Sequence, residues 1–246
     1  MSSSRAPNSV SGSLAGVSPA EVAAGLRHLP GLVFLDSSTA DEPGQPGRVR
    51  YSIVTALPER TVTGNIGADE GVLREALCAM VPSARAGVDV GAPAAGLYGC
   101  VGYDGDFVFG EYRSLLVFDH LAQRWSVSGD GDILGLVRWD AGSAPEWKSP
   151  GPRLEFETQM GQEDFVRRVR AAQEYIAAGD IYQVNLSRKF VAGGCRSVDP
   201  FGFYRKLREI SPAPFSAYLD LGDRKVLSTS PEPVSYTHLT LPTKIV

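Results

Sequence analysis

Between Ala94 and Asp140 four short runs, AAGLYGCVGYD, RSLLVFDHL, RWSVSG and DILGLVRWD, succeed one another with only Gly- and Asp-rich turns between them. Runs this short, rich in β-branched and aromatic residues, predict strands. Strands joined by turns of a few residues run antiparallel, because a parallel return needs a crossover of a dozen residues or more. Two earlier runs extend the pattern. LVFLDSS (Leu32 to Ser38) and RVRYSIVTALP (Arg48 to Pro58) read as strands of a hairpin closed by the polar TADEPGQPG.

Helices interrupt this pattern without a βαβ rhythm. Ser18-Pro19-Ala20-Glu21 carries an N-cap, a proline at the first helical position and the acid of a capping box. In Asp69 to Val81, the residues Val72, Leu73, Leu77 and Met80 share one face at helical spacing. Phe165, Val169, Ala172 and Ile176 do the same within Gln162 to Ala178, where Gly179 offers a left-handed cap. After it, IYQVNLSRKF (Ile181 to Phe190) alternates apolar and polar residues as a strand does, with Tyr182, Val184 and Leu186 on one side. Asp199 caps a further helix, and Pro214 to Ser230 predicts a hairpin turning at Gly222-Asp223. The pattern predicts an α+β fold, an antiparallel β-sheet sandwich flanked by helices. The Pro-, Gly- and Ser-rich stretch Ala141 to Arg153 divides it into regions 18–150 and 157–232, after a disordered N-terminus over 1–17.

Composition removes several function classes. With 43 % hydrophobic residues the chain can build a core. A net charge of -4 with scattered Lys and Arg provides no field for a nucleic-acid backbone. No apolar run reaches the length of a signal core or a membrane span, which predicts a cytoplasmic protein with neither membrane nor nucleic acid as partner. Cys78, Cys100 and Cys195 lie outside any C-x-x-C pattern and read as buried thiols. No P-loop, nucleophile elbow, H-E-x-x-H or dinucleotide fingerprint occurs. Gly99 to Asp106 reads as a turn between strands, Asp104, Asp106 and Glu111 as solvated acids, and Phe107, Phe109 and Tyr112 as packing. On residue types alone there is no catalytic set and no metal-ligand set.

AGDIYQVNLSRKF (Ala178 to Phe190) followed by SPAPFSAYLDLGDRKVLSTSPE (Ser211 to Glu232) resembles the start of the chorismate-binding domain in the family that includes the first components of anthranilate synthase and aminodeoxychorismate synthase. GLVFLDSS, RYSIVTALP, GLYGCVGYD and LVFDH resemble, in order, the N-terminal region of the same enzymes, so the resemblance runs from about Leu26 to Glu232. QVN (Gln183 to Asn185) and APF (Ala213 to Phe215) are closer to the aminodeoxychorismate branch, where anthranilate synthases tend to show a QVV-type strand and a PSPY-type turn.

The resemblance implies replacement of the 4-hydroxyl of chorismate by an amino group on the way to p-aminobenzoate and folate. It further implies ammonia from a glutamine amidotransferase subunit or domain, and Mg²⁺ on the substrate carboxylate. The family's catalytic and metal-binding residues lie downstream of the S-P-E motif, so none is carried onto this chain. The resemblance also implies a pocket for an aromatic amino acid, tryptophan, at Ser37, Pro214 and Phe215. Two departures stand out. The region after Tyr103 is short where relatives carry a longer acidic loop, and S-P-E is followed by Pro233-Val234-Ser235 rather than Arg-Phe. The last stretch, VSYTHLTLPTKIV, resembles a translated sequencing-adapter tail; 233–246 is expected to be non-native, leaving the fold incomplete at the C-terminus and this chain without turnover of its own.

Overall fold

The computed structural model describes residues 14–37, 50–80, 93–130, 132–139, 155–193 and 198–230. The expected turn between the first two strands, the 141–153 boundary, Cys195 and the 233–246 tail lie outside them. The chain divides into two compact units, one formed by 1–147 together with 200–246 and the other by 148–199.

The larger unit is built on an antiparallel sheet of six strands: β1 (Val33–Asp36), β2 (Tyr51–Thr55), β6 (Ser114–Asp119), β7 (Arg124–Gly129), β10 (Phe215–Asp220) and β11 (Lys225–Ser230), in the order β11-β10-β1-β2-β6-β7. A second sheet holds β3 (Arg60–Asn65), β5 (Asp106–Tyr112) and β4 (Gly96–Val101), in that order. The period-2 alternation of the larger sheet sends its residues to two different cores. Val33, Ile53, Val117 and Leu219 pack with Tyr112, Tyr98 and Cys100 of the smaller sheet. Phe34, Val54, Leu116 and Tyr218 face the other way, against helices α1 (Pro19–Leu26) and α4 (Pro200–Ile210). Beyond the smaller sheet, Val62 and Phe107 pack on Ala76 of α2 (Ile66–Met80). The layers therefore run helices, sheet, sheet, helix. The predicted antiparallel sandwich with flanking helices is the fold observed.

Local chemistry sets the element ends. Ser18 Oγ accepts the Glu21 N–H, and Glu21 returns a carboxylate oxygen to the Ser18 N–H at 2.8 Å, closing the capping box that starts α1. The β10–β11 hairpin turns through Gly222 at φ 85°, in the left-handed region glycine enters freely. Gly99 permits a different thing, the approach of β4 to β5: a Cβ there would lie 1.9 Å from the Val108 carbonyl oxygen.

Several expectations change. DILGLVRWD is not a strand; it forms a single 3-10 turn, Leu134–Leu136, which buries Ile133 and Val137 beside α1. Its Arg138 N–H donates to the Gly25 carbonyl, so helix contact, not strand pairing, satisfies its backbone. β3 and β5 belong to the sandwich although neither RTVTGN nor DFVFGEY was read as a strand. In α2 the buried residue is Ala76, with Leu73 beside it, whereas Val72 and Leu77 are about half exposed. The helix is kinked at Asp69, whose carboxylate takes the Asn65 N–H.

The smaller unit holds α3 (Gln162–Ala178), closed by Gly179 at φ 81° as expected, and a two-stranded ladder of β8 (Phe156–Thr158) with β9 (Phe190–Ala192). No residue of α3 is buried, so the Phe165, Val169, Ala172 and Ile176 stripe covers no core among the described residues. Residues 181–189 run without strand pairing, and Tyr182 is 93 % exposed. Alternation alone does not make a strand where no described neighbour supplies the ladder.

Two charged groups hold the larger unit. Asp36, at the end of β1, keeps its side chain 1 % exposed, accepts Arg208 Nε at 2.6 Å and Nη2 at 3.3 Å, and accepts the Tyr204 hydroxyl at 3.1 Å. This ties α4 to the sheet. Burial, with the Asp36 charge adding to it, pushes the Tyr204 phenol far above its ordinary range. At the end of β6, Asp119 takes Arg50 on Oδ2 and the Leu121 and Ala122 N–H groups on Oδ1. Burial of Asp119 would raise its pKa; the Arg50 guanidinium and the two N–H donors outweigh that and hold the carboxyl below its ordinary range.

Arg208→Met leaves the Asp36 carboxylate buried without its cation, and urea unfolding is expected to show a loss of about 3 kcal/mol. Tyr204→Phe, which removes one hydroxyl, loses about 1 kcal/mol in the same measurement. For Asp119 the unfolded chain takes up its proton first as pH falls, because the folded carboxyl titrates lower. Its stabilising effect is present above the ordinary carboxylate range, near about pH 4, and disappears as pH falls through the folded value. The urea midpoints of the native chain and Asp119→Asn should therefore differ at neutral pH and converge in acid.

Candidate functional site

Ser37, Pro214 and Phe215 come from strand ends joined across the β1–β10 ladder. The register pairs Asp36 with Ser216, which sets Ser37 beside Phe215 at the same end of the sheet. By alternation both side chains lie on the face that carries Val33, Leu35 and Leu219, the face packed on the smaller sheet. Ser37 Oγ donates to the Tyr51 carbonyl at 2.9 Å, and the Ser37 N–H donates to Ser52 Oγ at 3.1 Å. Pro214 leads the chain into β10, and Ser216 Oγ secures that entry by donating to the Ala213 carbonyl at 3.0 Å. All three residues are half-buried.

Directly behind Ser37 is the Asp36, Arg208 and Tyr204 cluster on the opposite face, so the backbone that presents Ser37 is held from below by a buried charge. The sequence reading did not find this cluster. Its members are up to 172 positions apart, and no local spacing connects them. It also missed the contact of Ser52 Oγ with His120 Nε2 at 2.8 Å. Ser52 is wholly buried, and its hydroxyl both accepts the Ser37 N–H and meets the His120 ring, a structural arrangement to which a substrate carbonyl has no access.

Other groups weighed from the sequence are also accounted for. Asp106 accepts from Asn65 Nδ2 at 2.8 Å, and Glu111 pairs with Arg60. Phe107 and Tyr112 are buried packing residues, and Gly102 to Asp106 forms the β4–β5 turn. Cys78 is exposed, in contrast to the buried thiol expected, because it sits on the solvent side of α2. Among the described residues no three His, Cys, Asp or Glu side chains gather as metal ligands do. No helix among them is long and apolar enough to cross a membrane. The arrangement around Ser37 sets a hydroxyl, an aromatic ring and a proline at one firmly held strand end.

Comparison with known proteins places these elements. The family described as chorismate binding enzyme matches residues 102–238. Anthranilate synthase component 1 of Thermus thermophilus is 34 % identical over 137 residues, covering 52 % of this chain and 29 % of that protein. Aminodeoxychorismate synthase component 1 is 32 % identical over 128 residues in Klebsiella aerogenes and 32 % over 133 residues in Escherichia coli, in each case covering 52 % of this chain and 28 % of the relative. The matched part of the chain thus spans less than a third of these relatives. The crystal structure of anthranilate synthase component I from Streptococcus pneumoniae shares the fold, with a TM-score of 0.52 and 23 % identity over 80 % of this chain and 53 % of that one.

Proposed function

Since the chain belongs to the chorismate binding enzyme family, we propose that it carries part of an aminodeoxychorismate synthase component I. In this reading the whole enzyme replaces the 4-hydroxyl of chorismate with an amino group, using ammonia from a glutamine amidotransferase subunit or domain, and serves p-aminobenzoate and folate synthesis. The observation that carries the choice of branch is the pair QVN at Gln183 to Asn185 and APF at Ala213 to Phe215, residue types closer to the aminodeoxychorismate enzymes. A second reading stays beside it, because the named relatives include anthranilate synthase component 1 at equal similarity. That reading makes the product anthranilate.

Amination at an anionic substrate calls for a divalent cation against the carboxylate. The described residues do not fit such an ion, since no three carboxylate or imidazole side chains converge. We assign Mg²⁺ to residues beyond the described ones. What this chain's own residues do is bind and orient. Ser37 with Pro214 and Phe215 is proposed as a pocket for tryptophan, in which the Ser37 hydroxyl accepts from the amino group while it donates to the Tyr51 carbonyl. The ring would lie against Phe215.

Two measurements test this. The chain is mixed with the part of the Klebsiella aerogenes enzyme that its match does not cover, and given chorismate, ammonium and Mg²⁺. Expected is 4-amino-4-deoxychorismate from the mixture and no turnover from the chain alone. Turnover by the chain alone, or rescue only by the corresponding part of an anthranilate synthase, overturns the reading. Separately, calorimetric titration with tryptophan should give saturable heat that Ser37→Ala weakens about tenfold, the loss of one hydrogen bond to a charged group. Absence of heat sinks the pocket.

A further inference from the structure

We propose that His120 is a positioning residue for the Ser37 pocket, acting through the buried hydroxyl of Ser52; the inference rests on the reading of Ser37, Pro214 and Phe215 as a site for tryptophan. His120 and Ser52 do not touch the ligand in that reading. They decide where Ser37 stands when the ligand arrives.

Ser37 follows directly on β1, and the β1–β2 pairs end one residue earlier still, at Leu35 with Ile53. Two side-chain contacts to the start of β2 hold it where the ladder has stopped. Its hydroxyl donates to the Tyr51 carbonyl at 2.9 Å, and its N–H donates to Ser52 Oγ at 3.1 Å. The second contact depends on where a rotatable side chain keeps its oxygen. If Ser52 turned, the Ser37 backbone would lose that anchor, and the hydroxyl offered to the amino group of tryptophan would shift with it.

The group that stops Ser52 from turning comes from β6. Ser52 is 0 % exposed, so water does not serve its hydroxyl, and a buried hydroxyl requires partners. Among the described residues it meets two groups, the Ser37 N–H and His120 Nε2 at 2.8 Å. The N–H takes one lone pair, and the imidazole is the second partner in either tautomer. The ring is itself held in place. Phe118, which stands opposite Ser52 in the ladder, meets it edge-on with centroids 4.9 Å apart. The His120 N–H donates to the Arg50 carbonyl at 2.8 Å, and its own carbonyl accepts the Gln123 amide at 2.7 Å. Since β1, β2 and β6 are neighbours in the sheet, His120, Ser52 and Ser37 form a line of contacts across three strands. A fixed group at one end of this line sets the binding hydroxyl at the other.

Calorimetric titration of the whole chain with tryptophan, beside NMR of the Ser37 amide without it, reads the role separately from the pocket. His120→Phe keeps a ring against Phe118 and removes the nitrogen, whereas His120→Gln restores a hydrogen-bonding group of similar reach. His120 is half-buried, so both replacements are accommodated. His120→Phe should weaken tryptophan about fivefold, Ser52→Ala at least as much, and the pair together no further than Ser52→Ala, because both act through one contact. His120→Gln should recover most of the affinity, which a role in packing alone would not give. The Ser37 amide proton resonance should move in His120→Phe and return in His120→Gln. If Ser52→Ala does not fold, the comparison of Phe with Gln at position 120 still decides. Affinity indifferent to His120→Phe, additive losses in the pair, no recovery with Gln, or an unmoved Ser37 amide each overturns the role and leaves the pocket standing. Absence of heat from the native chain sinks the pocket, and this role with it.

Discussion

The pairing of β1 with β10 is the contact on which the larger unit depends. β1 is only four residues long, Val33–Asp36, yet it joins β2 and β6 on one flank to β10 and β11 on the other. Four residues of ladder do not hold a six-stranded sheet together by themselves. The buried Asp36 carboxylate adds a second tie in the same place, through Arg208 and Tyr204 of α4. A carboxylate enclosed this deeply is tolerable only while its cation and hydroxyl stay with it. The fold of the first hundred residues and that of residues 200–230 are thus made conditional on each other.

Elements whose signals are local were readable from the chain. The capping box of α1, the span of α3 with its glycine cap, and the β10–β11 hairpin each rest on residues within one or two turns of each other. The failures come where a distant neighbour decides. DILGLVRWD has strand-like composition, but the helix beside it takes its backbone groups. DFVFGEY occupies the centre of the smaller sheet, with β3 and β4 on its two sides, a position its charges and glycine concealed. The alternation in IYQVNLSRKF is real, yet the described residues contain no strand to pair with it.

The candidate site divides in the same way. Ser37, Pro214 and Phe215 were found by resemblance, and the register explains how residues so far apart come to one strand end. The groups that hold them there, Asp36, Ser52, Tyr204 and Arg208, carry no motif. A lone Asp in FLDSS and a lone Arg in KLREIS are unremarkable until the fold buries one and brings the other onto it.

The interposition of residues 148–199 between the two parts of the larger unit also has a consequence in time. Asp36 and Arg208 are 172 positions apart, so at synthesis rates of roughly 5–20 residues per second about ten to thirty seconds separate the emergence of β1 from that of its partners. During that interval β1 has β2 and β6 on one side and an open edge on the other, and Asp36 has water in place of arginine. The nascent sheet must wait with its central seam unfinished, which makes any competing strand encountered on the ribosome a rival for the place of β10.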